Sequence, residues 1–190
     1  MRTMPLIILV LSGAALLLAS CESDNSITNP STEINLIANS SFEIHFSPSL
    51  FGWIVRTKDT ADVHFVLDSP VGGGSYSVGL SNEWTFPGSI VYMISPPIGI
   101  HRYQLSAWAK AVRANSLPAS GDMGLLFRRN GRDSVRKSYR FTDSTWTYAS
   151  LLDTATTAAN DTLIVWLRGD PGQQNSGYIL FDLCKLLKLD

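Results

Sequence analysis

Residues 103–111 read YQLSAWAKA, and their side chains alternate strictly along the chain. The odd-numbered positions, among them Tyr103 and Leu105, are apolar or small. The even-numbered positions carry polar groups and one indole: Gln104, Ser106, Trp108 and Lys110. A period of two residues predicts a β-strand with one face in the protein core and the other towards solvent. Trp108 is out of phase with Leu105 and is therefore predicted to face outwards.

Similar segments recur over the rest of the chain. Further strands are predicted at 63–67, 75–80, 89–95, 124–129, 133–141, 145–151, 162–168 and 178–187. Asn130-Gly131 separates two of them and is a strong signal for a tight hairpin. Residues 153–161, rich in alanine and threonine, predict a loop. Short strands, frequent turns and the lack of an amphipathic helical pattern together predict an all-β, two-sheet sandwich.

Length and composition narrow the possible function classes. The 190 residues carry a formal net charge of -1, with 45% hydrophobic and 16% charged residues. This length suits one domain with a substantial core rather than two full-sized domains. Because the charge shows no basic excess, we expect no nucleic-acid partner. The low charge and the 14 glycines favour an all-β protein.

The first twenty residues have the layout of an export signal. Arg2 precedes an apolar run over 6–18 that is short for a transmembrane helix, which needs about 20 residues. Residues 18–21, LASC, resemble the bacterial lipobox. The resemblance implies that residues 1–20 are a lipoprotein signal peptide and that Cys21 carries the lipid. The alternative is an ordinary signal peptide followed by a chance cysteine.

A polar segment separates the predicted anchor from the domain. Residues 21–33 comprise Cys21 and the stretch ESDNSITNPSTE, which predicts a flexible tether before a domain spanning 34–190. We therefore expect a lipid-anchored protein of the cell envelope, at the outer membrane or cell surface if the cell is Gram-negative. Lipidation of Cys21 leaves Cys184 without a disulfide partner, so we interpret Cys184 as a buried, inert thiol.

The start of this domain is similar to a known family. Residues 35–43, NLIANSSFE, fit the pattern N-L-x-x-N-x-x-F-E, and Gly52-Trp53 follows them. This opening resembles that of carbohydrate-binding modules of families 4, 9 and 22. Further similar segments are residues 75–78, 103–110, 145–148 and 179–182. The resemblance covers about residues 34–190 and implies a jelly roll of the galactose-binding-like superfamily.

The resemblance also implies a metal site. In a jelly roll of this type the first and last strands are neighbours, so Glu43 and Asp182 would meet, and the family often binds a structural calcium there. Ca²⁺ takes six to eight oxygen ligands, which two carboxylates and loop carbonyls can supply. The alternative is a pair of exposed or salt-bridged acids.

Aromatic side chains are the natural candidates for a sugar site, because the modules that this chain resembles stack sugar rings on them. Trp108 and Trp166 are each out of phase with the neighbouring leucines and are predicted to face outwards. The candidate ligand contacts are Trp84, Gln104, Trp108, Lys110, Trp166 and Arg168. Trp53 and Trp146 are assigned to the core by their place in the family pattern. The alternative is that the candidate indoles are buried as well.

The predicted hairpin around Asn130-Gly131 is rich in cationic side chains: Arg128, Arg129, Arg132, Arg136, Lys137 and Arg140. They indicate either a site for an anionic glycan or lipid head group, or a solvated hairpin whose charges protect exposed edges. The second interpretation is the more common one for such clusters.

Signals for catalysis are weak. Residues 75–79, SYSVG, do not fit the G-x-S-x-G nucleophile motif, and His45, His64 and His101 lack metal-ligand spacing. The sequence therefore predicts a non-enzymatic, lipid-anchored protein that binds an oligo- or polysaccharide by aromatic stacking. The alternative is a structural or protein-interaction lipoprotein that uses the sandwich as a scaffold without a sugar site. A glycoside hydrolase ranks third.

Overall fold

Strands account for nearly all regular structure in the part of the chain that the structure describes. The computed structural model describes residues 33–47, 49–83, 86–171 and 177–190, which belong to one unit covering 32–190. Within these ranges the strands are β1 (His45–Phe46), β2 (Ser49–Leu50), β3 (Ile54–Val55), β4 (Val63–Val66), β5 (Ser77–Ser81), β6 (Ser89–Ile94), β7 (Gly99–Arg113), β8 (Gly121–Arg129), β9 (Arg132–Phe141), β10 (Thr147–Thr157), β11 (Thr162–Gly169) and β12 (Gly177–Lys188). A short 3-10 helix at Thr60–Asp62 precedes β4.

Ten of these strands form two antiparallel sheets. The first sheet has the order β10-β7-β12-β5-β4, and the second has the order β3-β6-β11-β8-β9. Strands β1 and β2 pair with each other in a separate short hairpin. The predicted all-β, two-sheet sandwich is confirmed.

The core lies between the two sheets and contains the apolar phase of each strand. Strand β7 contributes Tyr103 and Leu105, and strand β11 contributes Leu163, Val165 and Leu167, all of which are buried. Burial of apolar surface stabilises the fold by about 25 cal/mol per Å². Because side chains alternate along a strand, the remaining positions of β7 and β11 lie on the outer faces of the two sheets.

Asparagine side chains fix the segment that opens the domain. Asn35 forms an isolated bridge with Leu187 of β12, and its Oδ1 accepts a hydrogen bond of 2.9 Å from the Leu186 N–H. Asn39 has a φ of 52°, and its Nδ2 donates to the Ile44 carbonyl at 2.8 Å. The beginning and the end of the domain are therefore neighbours, as the family resemblance implied.

One predicted loop is in fact a strand. Strand β10 continues to Thr157, so the prediction of a loop over 153–161 is wrong for residues 153–157. The strand continues because β10 remains paired with β7 as far as Gly99, the first residue of β7. In addition, the side chains of Ala155 and Thr157 are buried on the same side of the strand. The Thr157 hydroxyl donates to the Gly99 carbonyl at 3.0 Å. Among the described residues, no helix is long and apolar enough to cross a membrane.

Candidate functional site

Trp166 lies at the centre of the outer face of the second sheet. The strand register places one row across the whole sheet: Ile54 of β3, Val91 of β6, Trp166 of β11, Gly124 of β8 and Ser138 of β9. The Trp166 side chain is partly exposed. The sheet therefore carries a single indole in its middle, with small or aliphatic neighbours on both sides.

The indole of Trp166 rests on the backbone of Gly124. A Cβ atom at position 124 would lie 2.6 Å from both Cε2 and Cζ2 of Trp166, and 2.7 Å from the Lys137 carbonyl oxygen. A larger residue at position 124 would lift the ring away from the sheet. The Trp166 Nε1 is buried and has no hydrogen-bond partner among the described residues. The indole is thus seated against the sheet at Gly124.

A row of charged side chains runs beside the indole. Arg168 of β11, Asp122 of β8 and Arg140 of β9 occupy consecutive positions across the sheet. The Asp122 carboxylate accepts hydrogen bonds from Arg140 Nε at 2.8 Å and from a terminal nitrogen of Arg168 at 2.9 Å. The Arg168 guanidinium also lies 5.0 Å from the centre of the Trp166 ring. The polar groups that flank the indole are thus held in fixed positions.

On its other side the indole meets an apolar row. Met93, Ile164, Leu126 and Val135 face outwards here from four consecutive strands. Several of these side chains and Trp166 line a shallow cleft of about 210 Å³. Arg128 and Asp133 also line this cleft, so the outer face of the second sheet combines an apolar floor with charged side chains on both sides.

The other outward-facing tryptophan belongs to the first sheet. Trp108 of β7 pairs with Tyr148 of β10, and the two ring centroids are 5.7 Å apart. Gln104 and Trp108 line a groove of about 350 Å³ together with Lys185 of β12. This groove lies on the outer face of the first sheet.

Lys110, another predicted contact on this sheet, is held by a loop. Its Nζ donates to an Asp68 oxygen at 2.7 Å, and Trp146 Nε1 donates to the other Asp68 oxygen at 3.0 Å. Burial raises the pKa of Asp68, but the hydrogen bonds from Lys110 and Trp146 outweigh it, so this pKa is lowered overall. Lys110 therefore serves an ion pair that ties the loop to the sheet.

The candidate ligand contacts thus fall into separate groups. Gln104, Trp108 and Lys110 lie on the first sheet, whereas Trp166 and Arg168 lie on the second. Because the two faces point away from each other, the two indoles do not form one platform. Trp84 lies outside the described residues.

The two tryptophans assigned to the core behave differently. Trp53 is buried in the core and packs against Phe42 at a centroid distance of 5.4 Å, which confirms its assignment. The assignment of Trp146 is wrong, because it is only partly buried and bonds Asp68 on the outer side of the first sheet.

Most charges of the basic hairpin are neutralised by aspartates. The ion pairs are Arg128–Asp133, Arg129–Asp161, Arg136–Asp153 and Arg140–Asp122, with closest distances of 2.5, 2.7, 3.0 and 2.8 Å. Asp122 and Asp133 belong to the hairpin's own strands β8 and β9, whereas Asp153 lies in β10 and Asp161 directly precedes β11. The hairpin is therefore a paired, solvated edge rather than a cluster of free cations.

Glu43 and Asp182, the predicted calcium ligands, approach the same glycine-rich turn, Gly72-Gly73-Gly74. Glu43 Oε1 accepts hydrogen bonds from the N–H groups of Ser75 and Tyr76 at 2.9 and 2.8 Å. A side chain at Gly73 would overlap the Oδ2 atom of Asp182. The turn is thus packed against both carboxylates.

The Asp182 carboxyl is the unusual member of this pair. It is fully buried, and its Oδ2 has no hydrogen-bond partner among the described residues. Burial raises the pKa of Asp182 to about 7, and the charge of Glu43 adds to the rise. The described residues include no group of three or more His, Cys, Asp and Glu side chains that could hold a metal. An orphaned buried oxygen beside a second carboxylate and a turn fits Ca²⁺ if backbone carbonyls complete its shell.

Cys184 follows on the same strand. Its thiol is free and fully buried, as predicted. Burial, and to a lesser extent the charge of Asp182, raises the pKa of this thiol. A neutral, inaccessible thiol is chemically inert.

The architecture matches solved structures of sugar-binding domains. A family 61 carbohydrate-binding module in complex with β-1,4-galactotriose aligns with a TM-score of 0.52 and 17% identity, over 82% of this chain and 99% of the module. The xylan-binding first family 22 module of Xyn10C from Paenibacillus barcinonensis aligns with a TM-score of 0.57 and 16% identity, over 83% and 96%. This domain shares the jelly-roll fold of these carbohydrate-binding modules.

The same jelly roll also occurs within an enzyme. An arabinose-bound α-L-arabinofuranosidase of family 51 aligns with a TM-score of 0.57 and 18% identity, over 82% of this chain but only 26% of that enzyme. At these identities the likeness shows the fold alone. No protein-family model and no curated protein sequence matches the chain.

Sequence reasoning found Trp166 in this jelly roll but missed what surrounds it. Gly124 was assigned to a strand without a role, and Asp122 was not singled out. The available signal was the phase of β8, in which Gly124 and Asp122 alternate with the apolar residues Met123 and Leu125. Only the pairing of β8 with β11 shows that these two residues flank Trp166 and Arg168.

Proposed function

We propose that this protein is a lipid-anchored, non-catalytic glycan-binding protein of the cell envelope, and that it binds sugar on the outer face of the second sheet. The likeness to carbohydrate-binding modules supports a sugar ligand in general terms. The observation that carries the assignment to this face is the Trp166 indole resting on Gly124 at the centre of an open sheet.

The chemistry of this face suits a sugar ring. One side of a pyranose carries mainly C–H bonds, which pack on an aromatic surface, while its hydroxyl groups require hydrogen bonds around the rim. Trp166 would carry the ring, and the guanidinium groups of Arg168 and Arg140 would donate to hydroxyl oxygens. The Asp122 carboxylate holds both arginines in place, so little side-chain entropy is lost on binding. Arg168 would exchange part of its contact with the indole for contacts with the sugar.

A comparison of the two outward-facing tryptophans tests this proposal. We expect Trp166→Ala in the purified full chain to weaken glycan binding by at least about 30-fold, equivalent to ~2 kcal/mol for an aromatic contact at a binding centre. The matched control is Trp108→Ala on the first sheet, which should leave affinity unchanged. A glycan array identifies the ligand, and calorimetry measures both variants. Loss of binding in Trp108→Ala alone would move the site to the first sheet.

The anchor and the absence of catalysis are tested separately. Cys21→Ser should release the protein from membranes into the soluble fraction without changing its affinity for the glycan. The ligand found on the array should release no reducing ends after prolonged incubation with the protein. Appearance of reducing ends at a rate that depends on Trp166 would instead show a glycoside hydrolase.

We also propose that Ca²⁺ stabilises the fold. Asp182 and Glu43 would hold it, with carbonyl groups of the glycine-rich turn as further ligands. A bound cation would supply the partner that Asp182 Oδ2 otherwise lacks. Its role here is to hold the turn against strand β12, and sugar binding on the opposite sheet is not expected to require it.

A protein-interaction lipoprotein without a sugar site is the alternative function, and one observation favours it. The β1–β2 hairpin exposes Ile44, Phe46 and Phe51, and Phe46 is 84% exposed. Large exposed apolar side chains often mark a contact surface. This alternative is correct if neither the parent protein nor Trp166→Ala binds any glycan, while Phe46→Ser abolishes binding of the intact protein to a protein partner.

A further inference from the structure

A row of polar side chains crosses the whole outer face of the second sheet beside Trp166. In register order it consists of Arg56, Ser89, Arg168, Asp122 and Arg140. The row contains three guanidinium groups and one carboxylate, and it runs parallel to the row that contains the indole. A ligand seated on Trp166 would therefore lie along a line of cationic side chains.

The single carboxylate of this row is hidden behind the arginines. The Asp122 side chain is only 8% exposed, whereas those of Arg140 and Arg168 are 51% and 38% exposed. Both Asp122 oxygens already accept hydrogen bonds from these arginines. A molecule arriving from solvent thus meets guanidinium N–H groups before it meets negative charge.

The row ends in a cleft that is lined by cations. A space of about 530 Å³ lies between the end of β3 and the start of β6, and Arg56, Lys58 and Arg168 line it. None of the described residues that line it is acidic. Asp59, Asp62 and Glu83 line a separate cleft on the other side of Lys58.

Two of the three cations in the cleft are free to bind. Among the described residues, the side chains of Arg56 and Lys58 form no hydrogen bond or ion pair, although the Lys58 Nζ lies 5.8 Å from the Phe86 ring centre. The hydrogen bond from Arg128 lowers the pKa of Asp133, and the positive charge of Arg56 helps to lower it. That carboxylate, however, already accepts hydrogen bonds from Arg128 at 2.5 and 2.7 Å. Cationic side chains without an ion pair to a described residue gain most from an anion, which Arg binds through paired hydrogen bonds.

We propose that the glycan bound by this protein is acidic, and that Arg56, Lys58 and Arg168 hold a carboxylate or sulfate group of a sugar adjoining the one on Trp166. This inference rests on the proposed sugar site on the second sheet and specifies its ligand class. The indole would supply affinity for the ring, and the cationic cleft would select sugars that carry an anionic group.

The test uses polymers that differ only in charge. Affinities of the purified full chain are measured for polygalacturonate and its fully methyl-esterified form, and for chondroitin sulfate and its desulfated form. We expect one acidic polymer to bind at least tenfold more tightly than its neutral or less charged counterpart, with affinity falling as salt is raised. The polygalacturonate pair reports on a carboxylate, and the chondroitin pair reports on a sulfate.

Variants connect this preference to the cleft. The double substitution Arg56→Gln with Lys58→Gln should remove the preference for the acidic polymer and leave binding to fully methyl-esterified polygalacturonate unchanged. The matched control is Arg113→Gln, an exposed arginine at the end of β7 in the first sheet, which should change neither affinity.

The outcomes separate this inference from the proposed function. Equal, salt-independent binding of acidic and neutral polymers that still requires Trp166 would overturn the acidic ligand and leave the sugar site intact. Binding only to neutral glycans on the array would do the same. A lack of binding to every glycan tested would overturn both proposals.

Discussion

The outer faces of the two sheets begin from the same sequence pattern and end as different surfaces. Each carries a partly exposed tryptophan, Trp108 on the first sheet and Trp166 on the second, and both are out of phase with the core leucines. On the first sheet, the loop containing Asp68 binds Lys110, and Asp182 beside Trp108 is completely buried. On the second sheet, the rows on either side of Trp166 border open clefts. An outward phase is thus shared by the two tryptophans, whereas the neighbouring strands and loops decide which side chains surround each ring.

The largest expected effect comes from a matched pair of glycine substitutions, one on each sheet. Gly124→Val places a side chain 2.6 Å from the Trp166 ring, and Gly79→Val places one 2.5 Å from the His64 ring. We expect both variants to lose about 1–3 kcal/mol of unfolding free energy through overpacking. Only Gly124→Val should abolish glycan binding, because only it displaces the indole of the proposed site.

Denaturant unfolding and calorimetric titration of both glycine variants check this prediction. Equal losses of affinity would show that binding depends on overall stability rather than on the second sheet. Full affinity in Gly124→Val would contradict the role given to Trp166.

A second pair removes an aspartate from each face. Asp122 is buried and holds two arginines, whereas Asp68 is partly exposed and pairs with Lys110. We expect Asp122→Asn to cost about 1–2 kcal/mol, because two neighbouring guanidinium groups lose their shared counter-charge. Asp68→Asn should cost less than about 1 kcal/mol, since solvent screens a surface pair.

Thermal unfolding of these aspartate variants measures the stability difference, and glycan titration adds a second readout. Asp122→Asn should weaken glycan binding several-fold because Arg168 and Arg140 lose their fixed positions. If Asp68→Asn affects binding more than Asp122→Asn does, the first sheet carries the site.

The smallest expected effect concerns Asp182, which lies on β12 in the first sheet. Its pKa of about 7 in the folded protein exceeds the ordinary value of 3.8, so the folded state binds more protons between these values. Stability contributed by this group is therefore fully present below about pH 4 and is lost as the pH rises through about 7. Without calcium, Asp182→Asn should be more stable than the parent at pH 8, by a few degrees in Tm, and equal to it near pH 3.

Calcium should reverse this order at pH 8. Added Ca²⁺ is expected to raise the Tm of the parent protein and leave Asp182→Asn unchanged, because the amide offers no charge to the cation. Glu43→Gln serves as the companion variant and should respond to calcium only weakly. A parent protein whose Tm is the same in calcium and in a chelator would argue against the metal.

Much of this fold was readable from the alternating pattern of side chains. The period of two along 103–111 and 162–168 identified both the core side and the outward side of β7 and β11. Asn130-Gly131 identified the hairpin that joins β8 and β9. The pattern did not predict the strand over residues 153–157, where the buried side chains are the small residues Ala155 and Thr157. Alanine and threonine alternating with each other give no clear contrast between an apolar and a polar face. The pattern also could not detect β1–β3, which are two residues long each.

The candidate site divides in the same way. The sequence by itself determined that Trp108 and Trp166 face outwards, because steric alternation along an extended chain is a local property. Which strands become neighbours is decided by long-range packing, so only the tertiary structure placed Gly124 under Trp166 and Asp122 between Arg168 and Arg140. The same packing put Trp108 and Trp166 on opposite faces and tied the Asp68 loop to Lys110 on the first sheet. Exposure and charge convergence depend on residues that are distant in sequence, and the pattern of a single strand carries no information about them.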